Sequence, residues 1–145
     1  MHFARLTSRL LALLACACIA ATAPAQAQSP AGKNRIVFQV SDNDPARWNL
    51  ALNNAKNVQS DLGVKNVTIE IVAYGPGIAM LRLESPVATR IKDAQSTGIN
   101  IVACENTLTN QKLSKEDMLP ALSYVPAGVV QLMQRQQQGY AYIRP

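Results

Sequence analysis

RIVFQVSDNDPARWNLALNNAKNVQSDLG, residues 35–63, holds one complete strand-to-helix unit, and its reading sets the class of the fold. Arg35 to Val40 is a β-branched, apolar run of strand length. Ser41-Asp42-Asn43-Asp44-Pro45 stops it, and Asp44 before Pro45 has the form of a helix N-cap followed by proline at the first helical position. Trp48, Ala51, Leu52, Ala55, Val58 and Leu62 then recur at steps of three and four, the stripe of an amphipathic helix, and Gly63 ends it.

The same alternation continues downstream. Val67 to Tyr74 (VTIEIVAY) reads as a second strand and Gly75-Pro76-Gly77 as the turn out of it. Ile78 to Glu84 reads as a short helix. Ser85-Pro86 repeats the cap-and-proline device for another, with Val87, Ile91 and Ala94 on its buried side and a stop near Gly98. Ile99 to Ala103 (INIVA) is a third strand, with Cys104 at its carboxyl end. Leu113 to Asp117 has the form of a staple and cap for a small helix that Pro120 cuts off. Leu122 to Val125 is a short fourth strand, Pro126 to Gln138 a helix ended by Gly139, and Tyr140 to Ile143 a short fifth strand. Strands separated by helices require right-handed crossovers. The expected fold is therefore α/β, a three-layer α/β/α sandwich around a five-stranded, mostly parallel sheet, in one domain over residues 35–145.

The start of the chain reads as an address. Arg5 and Arg9 precede an apolar run, Leu10 to Ala23, interrupted only by Thr22, and Pro24-Ala25-Gln26-Ala27 supplies a small-x-small ending. This is the pattern of a signal peptide, residues 1–27, cleaved after Ala27, and it places the protein in the periplasm. The apolar run is short of the roughly 20 residues that span a bilayer, so no membrane span is expected. Leu13-Leu14-Ala15-Cys16 supports a rival reading, lipoprotein anchoring at Cys16. Residues 28–34, with Pro30 and Gly32, read as a linker.

Cleavage after Ala27 strips the chemistry down. The chain has 3 cysteines and 1 histidine, and Cys16, Cys18 and His2 all lie in the segment removed. The remainder holds Cys104 alone. An internal disulfide is then impossible, a Ser-His-Asp or Cys-His mechanism lacks its base, and a Cys/His zinc site lacks its ligands, so no metal and no cofactor is expected. The formal charge of +5 falls by two with Arg5 and Arg9, and the remaining basic residues are scattered. Without a basic run the sequence argues against nucleic-acid binding.

Parallel sheets bind ligands beyond the carboxyl ends of their strands. Four segments meet there, and they carry the candidate pocket residues Ser41, Asp42 and Asn43; Tyr74, Gly75 and Gly77; Glu105, Asn106 and Thr107; and Gly128. Only Cys104 is a nucleophile. A helical turn beginning after it would offer free N–H groups that stabilise a thiolate; Glu105 opposes this by like charge, and Asn106 and Thr107 are potential donors to the sulfur. The alternative is a small buried core residue. Asp42 and Asp44 read either as a carboxylate pair or as turn and capping residues, Trp48 as core or as a ligand platform, and Asn53, Asn54 and Asn57 as a subunit contact or a solvated face. Gln134–Gln138 reads as a solvated helix face. Tyr74-Gly75-Pro76-Gly77 has neither the spacing nor the lysine of a phosphate-binding loop.

Taken together, Trp48-Asn49-Leu50-Ala51-Leu52-Asn53-Asn54, Tyr74-Gly75-Pro76-Gly77, Ser85-Pro86, Gly98 through Cys104-Glu105-Asn106-Thr107-Leu108, and Val125-Pro126-Ala127-Gly128 resemble the DsrE/DsrF-like proteins, in particular their small single-domain branch with a signal peptide. The resemblance implies a five-stranded α/β/α sandwich and homo-oligomers, commonly trimers or hexamers. It also implies a role for Cys104, which matches the branch's recurring cysteine, since better-studied relatives carry sulfur as a cysteine persulfide in sulfur-oxidation or tRNA-thiolation relays. Two functions are therefore expected. One is a persulfide carrier that exchanges sulfur with a thiol-bearing donor or acceptor, a sulfur-transfer protein rather than a hydrolase. The other is a non-enzymatic, oligomeric small-ligand-binding protein with an inert cysteine. A simple redox-buffering thiol is a third reading, but it lacks a resolving cysteine.

Overall fold

The computed structural model of the protein describes residues 34–145, so the signal-peptide and lipoprotein readings of the first 27 residues lie outside the described residues. The elements run β1 (Asn34–Val40), α1 (Pro45–Leu62), β2 (Val67–Ala73), α2 (Ala88–Ser96), β3 (Asn100–Cys104), α3 (Glu105–Asn110), β4 (Ser123–Val125), α4 (Gly128–Gln137) and β5 (Ala141–Ile143). The five strands form one sheet in the order β4-β3-β2-β1-β5, every neighbouring pair parallel. The α/β sandwich expected from the alternation of segments is the fold observed.

The order of strands explains which helix covers which face. From β1 through β4 the chain steps in one direction across the sheet, so right-handed crossovers put α1 and α2 on one side. The step from β4 to β5 runs back across the sheet, and the same handedness sends α4 to the other side. Alternation along the strands follows suit. Phe38, Ile69, Ile71, Ile101 and Ala103 join Trp48, Leu52, Ala55 and Ile91 in the larger core cluster, while Val37, Val72 and Val102 meet Leu132 in a smaller one under α4. At about 1.5–3 kcal/mol for each large apolar side chain fully buried, the larger cluster supplies most of the stabilisation.

Local signals act largely as read. Asp44 caps α1, its Oδ1 accepting the Ala46 N–H at 2.8 Å. Ser114 and Asp117 form the expected reciprocal cap. Three readings need correction. Gly75–Leu81 is a 3-10 helix that begins at the glycine turn itself, in place of the helix read over Ile78–Glu84. Behind Ser114 stands only a 3-10 turn, Lys115–Asp117. Ser85-Pro86 forms a turn, with α2 beginning at Ala88 and Val87 in the N-cap position. Here the Ser85 carbonyl takes the Ala88 N–H at 3.0 Å, so the proline lies in the turn before the helix.

Candidate functional site

The carboxyl ends of β3 and β4 send the chain to opposite faces. After β3 the chain turns toward the face of α1 and α2, where Leu108 of α3 joins the larger cluster. After β4 it turns the other way into α4, where Leu132 joins the smaller one. Adjacent parallel strands whose connections diverge leave a crevice between them. Cys104, paired in register with Val125, lies at that divergence. Its side chain continues the face of Val102, which points it toward the start of α4.

The surroundings of the sulfur are polar. Burial of Cys104, which is 5 % exposed, works to raise the thiol's pKa. The Thr107 hydroxyl and the backbone N–H groups of Gly128, Thr107 and Asn106 outweigh burial and hold the thiol below its ordinary value. In the protonated form the S–H has the Pro126 carbonyl at 3.8 Å as its acceptor. Cys104 occupies the N-cap position of α3, so a helical turn does begin directly after it. Glu105 meets Lys115 at 2.9 Å, which offsets the like charge that opposes a thiolate.

The glycines and Thr107 bring the next layer together. Thr107 is buried, and its Oγ1 accepts the Gly75 N–H at 2.9 Å while its proton remains free for the sulfur. Gly75 takes φ +53°, the left-handed region. Gly128 packs on Tyr74: a Cβ there would lie 2.9 Å from the tyrosine Cβ. Gly77 fits flat against the end of β1, where a Cβ would come within 2.9 Å of the Ser41 Cα and closer still to the Val40 carbonyl group. The Gly77 N–H donates to the Ser41 carbonyl at 3.1 Å. Gly128 and Gly77 are close-approach glycines, with a structural reason for lacking a side chain.

The predicted residues thus fall into two groups. Asn106, Thr107 and Gly128 surround Cys104 directly; Gly75 acts through Thr107, and Tyr74 through Gly128. The Asn106 contribution is its backbone, since its side chain is exposed and its N–H also meets the Pro126 carbonyl at 3.0 Å. Ser41, Asp42 and Asn43 lie at the end of β1. There Asp42 pairs with Arg144 at 3.3 Å, Ser41 accepts from Gln39 at 3.0 Å, and Asn43 is exposed. Tyr74 faces this second group, and burial raises its pKa, with Tyr142 adding to the rise.

The residues with open readings also find their places. Asp44 is a cap, as above. Trp48 is core, 3 % exposed, with its indole N–H on the Asp42 carbonyl at 2.7 Å. Asn53 accepts from Arg90 at 2.6 Å, and Asn49 accepts from the same guanidinium, so these two tie α1 to α2. The two cavities described, of about 380 and 530 Å³, lie along α2, away from Cys104. Among the described residues, no group of His, Cys, Asp and Glu is placed to hold a metal ion, and no helix is long and apolar enough to cross a membrane.

Pro126, which supplies the acceptor for the thiol, was not among the site residues inferred from sequence, because a backbone carbonyl has no side-chain signature. Glu70, Asn100, Gln131 and Arg135 were also missed, although a lone acid inside the apolar run VTIEIVA is a visible anomaly.

The fold and site define an α/β sandwich protein with one cysteine held at a strand end by thiolate-stabilising donors. Residues 34–145 match the DsrE/DsrF-like family, and the chain belongs to that family. Among solved structures it is similar to a protein of unknown function from Methanobacterium thermoautotrophicum, at 35% identity and a TM-score of 0.74, covering 77% of this chain and 99% of that one. A conserved protein of unknown function from Bacteroides thetaiotaomicron shares the fold, with 14% identity, a TM-score of 0.65, and coverage of 81% of this chain and 100% of that one. No curated protein matches.

Proposed function

We propose that this DsrE-like protein is an exported persulfide carrier whose working group is Cys104. The reading rests on one observation above all. Cys104 stands at the divergence of two parallel strands, in register with Val125 and at the N-cap of α3, and the donors gathered there lower its pKa. Charge transfer onto and off that sulfur needs no histidine and no metal. The Cys104 thiolate attacks a sulfane sulfur of a polysulfide or persulfide. A new S–S bond forms, the donor's S–S bond breaks, and the electron pair leaves on the departing sulfur. Delivery is the reverse in form: an acceptor thiolate takes the outer sulfur and Cys104 departs as a thiolate. The same donors therefore assist attack and departure, because a low-pKa thiol is the better leaving group.

Self-association belongs to the same reading and is supported by Val129, Val130 and Met133, which α4 exposes at 61, 42 and 49 %. Export to the periplasm is supported by the signal-like segment ending at Ala27. The test is polysulfide treatment followed by intact mass: one added sulfur on the wild type, and none at this site in Cys104→Ser. The second reading, a ligand-binding protein with an inert cysteine, is favoured by the thiol's 5 % exposure. It predicts no sulfur adduct and slow alkylation of folded protein at neutral pH.

A further inference from the structure

On the α4 side of the sheet, at its centre, β2 carries a carboxylate, Glu70, that is 2 % exposed. Both of its oxygens are fully used. Oε1 accepts from Gln131 Nε2 at 2.6 Å and from Arg135 Nε at 3.1 Å; Oε2 accepts from Arg135 Nη2 at 2.8 Å and from Asn100 Nδ2 at 3.0 Å. Asn100 in turn accepts the Ser123 hydroxyl through Oδ1 at 2.7 Å. Gln131 and Arg135 sit one turn apart on α4, and Ser123 opens β4. Glu70 is thus joined to both sides of the short connection, residues 126–127, that brings the Pro126 carbonyl and the Gly128 N–H to Cys104.

We infer that Glu70 is a positioning residue for Cys104: by clamping β4 through Asn100 and Ser123, and α4 through Gln131 and Arg135, it holds the Pro126–Gly128 connection in hydrogen-bonding reach of the sulfur. Glu70 does not act by contact. Its partner in register is Asn100, four strand residues from Cys104, or about 13 Å at the rise of an extended chain. The inference rests on the carrier reading only for its biological purpose, since the positioning is measurable on the thiol itself.

Glu70→Gln is the informative change. An amide puts an NH2 group where Oε1 now receives two donors or where Oε2 receives three, Arg135 Nε being shared between the two oxygens, so whichever way it turns, donor faces donor. In one orientation the Gln131 bond from α4 is lost, and in the other the Arg135 Nη2 and Asn100 bonds are, so the clamp is weakened either way. The ionisable groups on the elements around Cys104 are Glu70, Tyr74, Glu105 with its partner Lys115, Tyr124 and Arg135, and the direct effect of this substitution on the thiol has a definite sign. Removing a negative charge makes a nearby thiol easier to ionise, whereas withdrawing the Gly128 N–H makes it harder.

The experiment is a pH titration of thiolate absorbance in the full chain, each variant measured against the same variant carrying Cys104→Ser, which cancels Cys16 and Cys18. Glu70→Gln should raise the midpoint by about half a unit to one unit, about three- to tenfold less thiolate at a pH below it. Gln131→Ala keeps the Glu70–Arg135 pair and the helix, and should raise it in the same direction by less; it carries the test if Glu70→Gln does not fold. An unchanged or lowered midpoint in the folded variants overturns the inference, whatever happens to stability. Polysulfide loading of the wild type separates the two ideas: a raised midpoint in the variants with no sulfur adduct on the wild type sinks the carrier reading and leaves the positioning role standing.

Discussion

Thr107→Val removes one hydroxyl from the site and almost nothing else. Valine has nearly the shape of threonine, and the position is 8 % exposed, so the change is mainly the loss of a buried hydroxyl. Two interactions go. The Gly75 N–H loses the acceptor it holds at 2.9 Å, and a partly buried donor left unpaired costs about 1–2 kcal/mol of stability. Cys104 loses the foremost of the donors that lower its pKa. A hydrogen bond to a charged group contributes about 1.5–3 kcal/mol, which at about 1.4 kcal/mol per pKa unit bounds the rise at about one to two units. Three backbone N–H groups stay in place, so the expected rise is near the lower bound. The sign extends to stability. A thiol with a folded pKa below its unfolded value of about 8.5 stabilises the fold fully above that pH, and the contribution is lost as pH falls through the folded pKa. The wild type should therefore gain on Thr107→Val as pH rises toward about 8.5, beyond the constant loss at Gly75. The assays are the thiolate titration and urea unfolding at several pH values, with Thr107→Ser as the control that keeps the hydroxyl. Lower stability with an unmoved midpoint and a pH-independent difference would show that Thr107 serves Gly75 and not the sulfur.

Gly77→Ala should destabilise by at least the 1–3 kcal/mol typical of overpacking, as a rough figure, because its Cβ meets the Val40 carbonyl and Ser41 backbone, not a side chain that can move; soluble yield and urea unfolding report it, and a near-neutral result refutes the close approach. Asp44→Ala should cost about 1 kcal/mol through the lost cap on α1, and it should leave the Cys104 titration unchanged. Val129→Lys with Met133→Lys charges the exposed face of α4; if the proposed self-association uses that face, light scattering should show a smaller assembly than the wild type at equal concentration, and an unchanged mass would refute the role proposed for α4.

The fold was legible because its signals are local and repeated: β-branched runs, a cap at Asp44, a stop at Gly63, and a helix between each pair of main strands. Element boundaries near Gly75 and Ser85 were less so, since a glycine turn that continues into a 3-10 helix carries no apolar stripe of its own. At the site, the sequence placed Cys104, Thr107 and Gly128 in one neighbourhood through the strand-end rule. It failed on Pro126 because backbone groups are silent in composition. It also failed on the clamp. Glu70 was passed over as one residue of the second strand, Arg135 lay within the Gln134–Gln138 stretch read as a solvated helix face, and only the return of α4 across the sheet brings Gln131 and Arg135 over β2. That return is a property of topology, not of any segment.

Burial and activation at Cys104 pull in opposite directions, and the balance bears on which reading of the site is stronger. An inert core cysteine is served by apolar neighbours, since a thiol sulfur is a weak acceptor and gains little from N–H groups turned toward it. Here a hydroxyl and the backbone N–H groups of Gly128, Thr107 and Asn106 lower the pKa of the sulfur and so favour its charged form, the Asn106 N–H being shared with the Pro126 carbonyl. The 5 % exposure also fits a carrier. A persulfide extends the side chain by an S–S bond of about 2 Å, so the reacting atom in delivery is the outer sulfur, beyond Cys104 Sγ, while the inner one stays shielded as the leaving group. On that account small sulfur donors should load Cys104 faster than bulky disulfides of equal reactivity. Equal rates for a small polysulfide and a bulky aromatic disulfide would place the thiol at an open surface and break the link between burial and carriage.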